Sequence, residues 1–200
     1  GCEIAEGLFR AKSVERGRGV GSIRSTPTDA LLFFAIFSGS SDLLNRTKEE
    51  LAQRFGSLIV PGPRIDFTDT DYYQRSMGPN LLKEWFAVDR IIGQDELASI
   101  KVECQALEIA IGAGHESTVS RPINIDPGMI DLGKVMLAST KNHAHRVYVG
   151  SGIFVEVTLY LCEGEWSGWP WTYPDYRRPE VHRFFDRARQ EYRDRRPARG

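Results

Sequence analysis

"ALLFFAIF", residues 30–37, is an unbroken apolar run carrying three phenylalanines, and it is closed by the polar "SGSSD" that follows. A run this short cannot span a bilayer, and its bounded length reads as a central strand buried on both faces. The elements around it follow from that strand. Downstream, Ser41 or Asp42 can cap a helix whose Leu44, Leu51 and Phe55 share one face and whose end falls at Gly56. "SLIVPGPRIDF" reads as a strand broken by Pro61 and Pro63, hence an edge or bent strand. "LKEWFAVDRII" is a third strand, with Trp85, Ala87 and Asp89 on one face and Phe86, Val88 and Arg90 on the other.

Asp95 and Glu96 suit the start of a second helix, in which Leu97, Ile100, Cys104, Leu107 and Ile111 step by three and four. "RPINIDPGMI" then supplies a short strand and turn, and "DLGKVMLAST" a short helix with Leu132, Val135 and Met136 inward. A β-hairpin around Gly150-Ser151-Gly152 comes next, then the aromatic and proline-rich strap "WSGWPWTYPDYRR". The last helix has Pro179 in its first turn and Val181, Phe184, Phe185, Ala188 and Tyr192 as its buried stripe. The order strand, helix, strand, strand, helix, strand predicts an α+β domain. Its core would be a ferredoxin-like (split βαβ) antiparallel sheet, extended by the C-terminal hairpin and terminal helix. One domain is expected over residues 29–194, with a glycine- and arginine-rich flexible lead-in over 1–28 and a flexible tail over 195–200.

Composition narrows the function classes. Lys+Arg 26 against Asp+Glu 27 leaves a net charge of -1, so nothing global pulls the chain toward nucleic acid or an anionic membrane, and any basic site must be local. Cys2, Cys104 and Cys162 are odd in number, far apart and in no CxxC pairing, which argues against a disulfide framework and points to a reducing cytoplasm. No apolar run is long enough for a membrane helix.

The local basic site is "TKNHAHRVYVGSGIFVEVTL", residues 140–159, where Lys141, His143, His145 and Arg146 precede a hairpin with Glu156 inside it. Hairpin register decides which cation meets the carboxylate. A three-residue loop sets Arg146 across from Glu156 and is preferred, because it keeps Val147 and Val149 with the apolar face. A two-residue loop brings His145 to that face and would point to acid–base chemistry. The bland reading of an Arg146–Glu156 pair is structural; the functional one is a carboxylate orienting an arginine toward an anion. Lys134 and Lys141, seven apart, would share a face if the preceding helix reached them, whether as a ligand clamp or as a solvated stripe.

Other motifs are weaker. "GMIDLGKV" fits G-x-x-x-x-G-K but has Val135 where a phosphate loop needs Ser or Thr. "DFTDTDYY" offers Asp66, Asp69 and Asp71, able to hold Mg²⁺ beside a phosphate or merely to cap turns. His143 and His145 lack a third nearby ligand for structural zinc. Trp169, Trp171, Tyr173 and Tyr176 suit a strap across the core better than a base-stacking platform.

"IDFTDTDYYQRSMG", "NIDPGMIDLGKVMLASTKNHAHRVYVGSGIFVEVTLYL" and "WPWTYPDYR" together resemble an uncharacterised bacterial family, domain of unknown function 4416, over roughly residues 29–193. The resemblance implies no particular activity. It does imply polar family positions at Asp66, Asp71, Asn124, Asp126, Lys134 and Thr140, and further along at Lys141, His145, Arg146, Glu156, Thr158 and Tyr173. Polar residues at turns and strand ends speak for a ligand site more than for a core. The resulting expectation is a pocket for a phosphate- or carboxylate-bearing small molecule, a nucleotide among the options. Lys134, Thr140, Lys141, Arg146 and Tyr173 would bind it. Asp66, Asp71, Asp126, Glu156 and His145 would orient groups, act in acid–base chemistry or hold a divalent metal. The rival is a non-catalytic module contacting protein or RNA through the arginine-rich last helix and the strap.

Overall fold

The computed structural model describes residues 29–68, 74–114 and 119–196. The expected lead-in and Asp71 lie outside them. In chain order the elements are β1 (Asp29–Ser38), α1 (Ser41–Phe55), β2 (Leu58–Asp66), α2 (Gln74–Met77), β3 (Leu82–Gly93), α3 (Leu97–Ala113), β4 (Asn124–Ile130), β5 (Lys134–Ser139), β6 (Val147–Gly150), β7 (Ile153–Cys162), β8 (Glu165–Gly168) and α4 (Pro179–Arg195). The fold is α+β. Its antiparallel sheet runs β2-β3-β1-β4-β5-β7-β6, with β8 added on β7.

β1 is the central strand its composition demands. Leu32, Phe34 and Ile36 face a core shared with α1 and α3, while Leu31, Phe33 and Ala35 face a second core shared with α4. Helices on both sides remove the need for polar residues on either face, so the strand reads as continuously apolar. Ser40, one residue ahead of the expected caps, closes the start of α1: its backbone is extended and its hydroxyl accepts from the Leu43 N–H. α4 carries many arginines, yet its stripe of Val181, Phe184, Phe185, Ala188 and Tyr192 is buried as predicted. Each large apolar side chain so buried contributes roughly 1.5–3 kcal/mol. Charge pairs on the exposed face add only about 0.2–0.5 kcal/mol each, so packing holds the helix.

Edge β2 is blunted by Pro61 and Pro63, which offer no N–H to a passing strand. The opposite edge is β6. Its turn is Ser151-Gly152, both at positive φ, with Gly150 opposite Ile153. A bulge at Val149 then shifts the pairing to Tyr148↔Phe154 and Val147↔Val155. A two-residue loop plus a bulge therefore brings Arg146 to Glu156, the outcome expected of a three-residue loop.

The segment expected as a helix over "DLGKVMLAST" is a strand. Asp131 Oδ1 accepts from the N–H groups of Gly133 and Lys134 and forms the turn out of β4, and β5 then pairs β4 on one side and β7 on the other. Val135, Met136, Leu137 and Ala138 are all buried, so the run serves both faces of a sheet rather than one stripe of a helix. Gly128 and Lys134 belong to two strands and Gly133 to the turn between them, a geometry unlike a phosphate loop. At Gly128 a Cβ would come within 2.3 Å of Phe33 Cζ, so this position must stay bare where β4 crosses the core.

Candidate functional site

β4 and β5 pair over only three positions, Gly128↔Leu137, Met129↔Met136 and Ile130↔Val135. Beyond them residues 124–127 stay with β1, while Ala138 and Ser139 pair with β7, so the sheet splits. The open side of β4 is satisfied from α3. The Ile125 N–H donates to Glu108 Oε1 at 2.8 Å, and Lys101 Nζ donates to the Ile125 carbonyl at 2.6 Å. Pro127 has no N–H to leave unpaired. Two α3 side chains thus stand in for the missing strand, and the gap becomes a cavity of about 90 Å³.

Five cations line it: Lys83, Lys101, Arg121, Lys141 and Arg146. They face two carboxylates, Asp126 and Glu156. Of the expected residues, Asp126, Thr140, Lys141, Arg146, Glu156 and Tyr173 meet here. His145 borders an adjoining groove instead. Lys134 does not reach the cavity: it pairs with Tyr160 at the far end of β5, and with no helix there the shared face with Lys141 does not exist. Asp66 is also absent from the lining; it is exposed at the end of β2, and with strand alternation it is Phe67 that turns in.

Arg146 is tied on almost every donor. Nε donates to Glu156 Oε2 at 2.7 Å, Nη1 to Ser139 Oγ and to the Lys141 carbonyl, and Nη2 to Tyr173 Oη at 2.9 Å. Glu156 is equally enclosed, its Oε2 also meeting His145 Nε2 at 3.1 Å and its Oε1 accepting from Thr158. Both register alternatives are thereby realised at one carboxylate. Burial works against the Arg146 charge, but the bonds to Glu156 and Tyr173 more than offset it and raise its pKa, so it stays cationic.

Lys83 sits in a cage. Its Nζ donates to Asp175 Oδ2 at 2.5 Å and lies 4.9–5.6 Å from the ring centres of Phe37, Phe67, Trp85 and Tyr176. Asp175 is fully buried, and its Oδ1 has no hydrogen-bond partner among the described residues. On the opposite wall Arg121 donates to Glu108 and to Asn124 Oδ1, and Asn124 Nδ2 donates to Asp126 Oδ2 at 2.8 Å.

Asp126 keeps 28 % of its side chain open, and Lys101 donates to its Oδ1 at 3.0 Å. Burial alone would raise its pKa, but the charges of Lys101 and Lys83 and the bonds from Lys101 and Asn124 outweigh burial and lower it. For Glu108 burial wins over Lys101 and Arg121, and its pKa rises. A depressed folded-state pKa stabilises the fold above the ordinary aspartate value, and that stability is lost as pH falls through the lower folded value. Asp126→Asn is therefore expected to flatten the acid limb of the stability curve below about pH 4. Urea unfolding from pH 5 to 2.5 checks it, and parallel limbs for both proteins would contradict the assignment.

The cations that sequence reasoning missed are Lys83, Lys101 and Arg121. Lys101 falls at the i+4 position from Leu97, inside the buried stripe of α3, and a lysine there was the available signal. Lys83 falls beside Glu84 in a strand buried on both faces from Lys83 to Val88, and no spacing singles it out. Among the described residues no group of three or more His, Cys, Asp and Glu is placed to hold a metal ion. Among the described residues no helix is long and apolar enough to cross a membrane. No curated protein and no solved structure matches the chain. The model of one family, Domain of unknown function (DUF4416), matches residues 28–192, which takes in the sheet, both helix layers and every wall of the split, and the chain belongs to that family.

Proposed function

We propose that this domain binds a small molecule through a phosphate or carboxylate group held in the split between β4 and β5. The observation that carries the reading is the convergence of five cations from β3, α3 and the loops before β4 and β6 on one cavity, against two carboxylates in its lining among the described residues. Lys83 and Lys101 are held by Asp175, Asp126 and the Ile125 carbonyl, so they contribute field more than direct bonds. Lys141, Thr140, Tyr173 and the Arg121 guanidinium are the groups to touch the anion. At about 90 Å³ the cavity suits one phosphoryl or carboxylate group, well short of the roughly 300–1,000 Å³ that encloses a whole ligand. A nucleotide would have to extend outside it. If the ligand is turned over, Asp126 is the group to accept a proton, because it is ionised and open to the cavity. A divalent metal would take Asp126 together with oxygens of the ligand itself.

The elements β1, α1, β2, β3, α3 and β4 support a ferredoxin-like core: β3 lies between β1 and β2, β1 lies between β3 and β4, and α1 and α3 share one face. A reducing, cytoplasmic setting fits the free thiols of Cys104 and Cys162. The RNA- or protein-binding alternative loses support where the α4 arginines are spent within the fold. Arg187 bonds the Pro61 carbonyl, Arg189 the Leu132 carbonyl and Arg195 the Glu191 carboxylate.

Calorimetry with inorganic phosphate and with acetate tests the reading. Lys141→Ala is expected to weaken binding at least tenfold, about 1.4 kcal/mol, with an unchanged melting curve. Absence of binding by both anions at low salt would remove the proposal.

A further inference from the structure

Beside the cation cavity lies an open groove of about 540 Å³. Its floor is Met129, Met136, Val155 and Val157, which belong to the apolar face shared with α1 and α3. Its sides are Val147 and Val149 of β6 and the strap residues Trp169 and Trp171. Val147 is 68 % exposed and Trp171 39 %, so apolar surface that a folded domain normally hides is open here. Among the described residues its polar lining is Gln94 and Asp95 before α3, and His145 with Glu156, the latter shared with the cation cavity.

The two spaces share Glu156 as a wall. His145 joins them as well, with Nε2 on the Glu156 carboxylate and its ring stacked on Trp171 at 5.2 Å and 11°. The stack is continuous, from His143 through His145 and Trp171 to Trp169, and its His145 member rests on the Glu156 carboxylate that borders both spaces. Neither space is a complete ligand site alone. The cavity has charge without room for a body, and the groove has the volume of a small-molecule site without a cation to hold a head group.

We propose that they are the two halves of one site, and that the ligand is an amphipathic anion: a phosphate or carboxylate head in the split of the sheet, and an apolar acyl or aromatic body along the groove past His145. This rests on the anion reading and adds the class of molecule. The cluster of cations beside an apolar trough selects this occupant over a second protein chain, because a flat apolar contact would leave those charges uncovered. Met129 and Met136 allow the floor to adjust to bodies of different shape.

The test is calorimetry on the full chain with matched probes: inorganic phosphate, octyl phosphate and neutral octanol. Each buried methylene tightens binding by on the order of fourfold, so burial of only about three or four of the alkyl carbons makes octyl phosphate exceed phosphate by about a hundredfold. Val147→Asp, at an exposed position outside the cation cavity, is expected to remove most of that gain while phosphate binds as before. Octyl phosphate binding no tighter than phosphate overturns this inference and leaves the anion site standing. Octanol binding as tightly as octyl phosphate also overturns it, since the groove would then act without the cations. A dimer in sedimentation that Val147→Asp dissolves, with no alkyl gain, assigns the groove to a second copy and overturns it too. Failure of phosphate and acetate to bind at all removes the anion reading and this proposal together.

Discussion

Arg146→Ala is expected to destabilise the fold by about 3–5 kcal/mol, because it strands a buried carboxylate. Glu156 has 1 % of its side chain exposed and Arg146 3 %, so no solvent replaces the lost guanidinium. Ser139, the Lys141 carbonyl and Tyr173 lose their donor in the same step. His145 Nε2 stays 3.1 Å from one Glu156 oxygen, a single contact that cannot replace the bonds the guanidinium made. Arg146→Lys should rescue little, since an ammonium cannot span four partners set around a planar fork. Urea unfolding gives the measurement. A variant that melts like the parent while losing phosphate affinity would make Arg146 a ligand group instead of the brace of the cavity wall.

Lys83→Ala is expected to be comparably severe. It leaves Asp175 fully buried with neither oxygen bonded, and it empties a cage of four aromatic rings. Lys83→Met keeps most of the volume, so the difference between the two variants separates packing from charge. Removing both partners in Lys83→Met with Asp175→Leu should recover much of the loss, because an apolar pair no longer has to desolvate two ions. If the double variant is as unstable as Lys83→Met alone, the pair is not the source of the effect. The two braces differ in what they secure: Arg146 ties the loop before β6 to β7 and the strap, while Lys83 ties the turn ahead of α4 to β3.

Much of this architecture was legible in the chain itself. The eight-residue apolar run of β1, the 3.6-residue stripes of α1, α3 and α4, the prolines of β2 and the glycines of the β6–β7 turn are local signals, each set by a handful of neighbouring residues. The same is true of Arg146 and Glu156, whose meeting depends on the register of one hairpin. Residues 134–139 show where locality ends. A short apolar run is compatible with a buried helix or a buried strand, and only the presence of β4 and β7 on either side made it β5. That pairing stops after three positions, and the stop is what opens the cavity. Lys83, Lys101 and Arg121 carry no motif and come from three separate places in the chain; Lys101 is held by the open Ile125 carbonyl, Arg121 by Glu108 and Asn124, and Lys83 by Asp175. The sequence by itself determined most of the elements, β5 excepted, with the two-sided core and one ion pair, since these follow from spacing along the chain. The tertiary structure alone decided where the sheet divides and which charges surround the gap, since those depend on pairings between residues far apart in sequence.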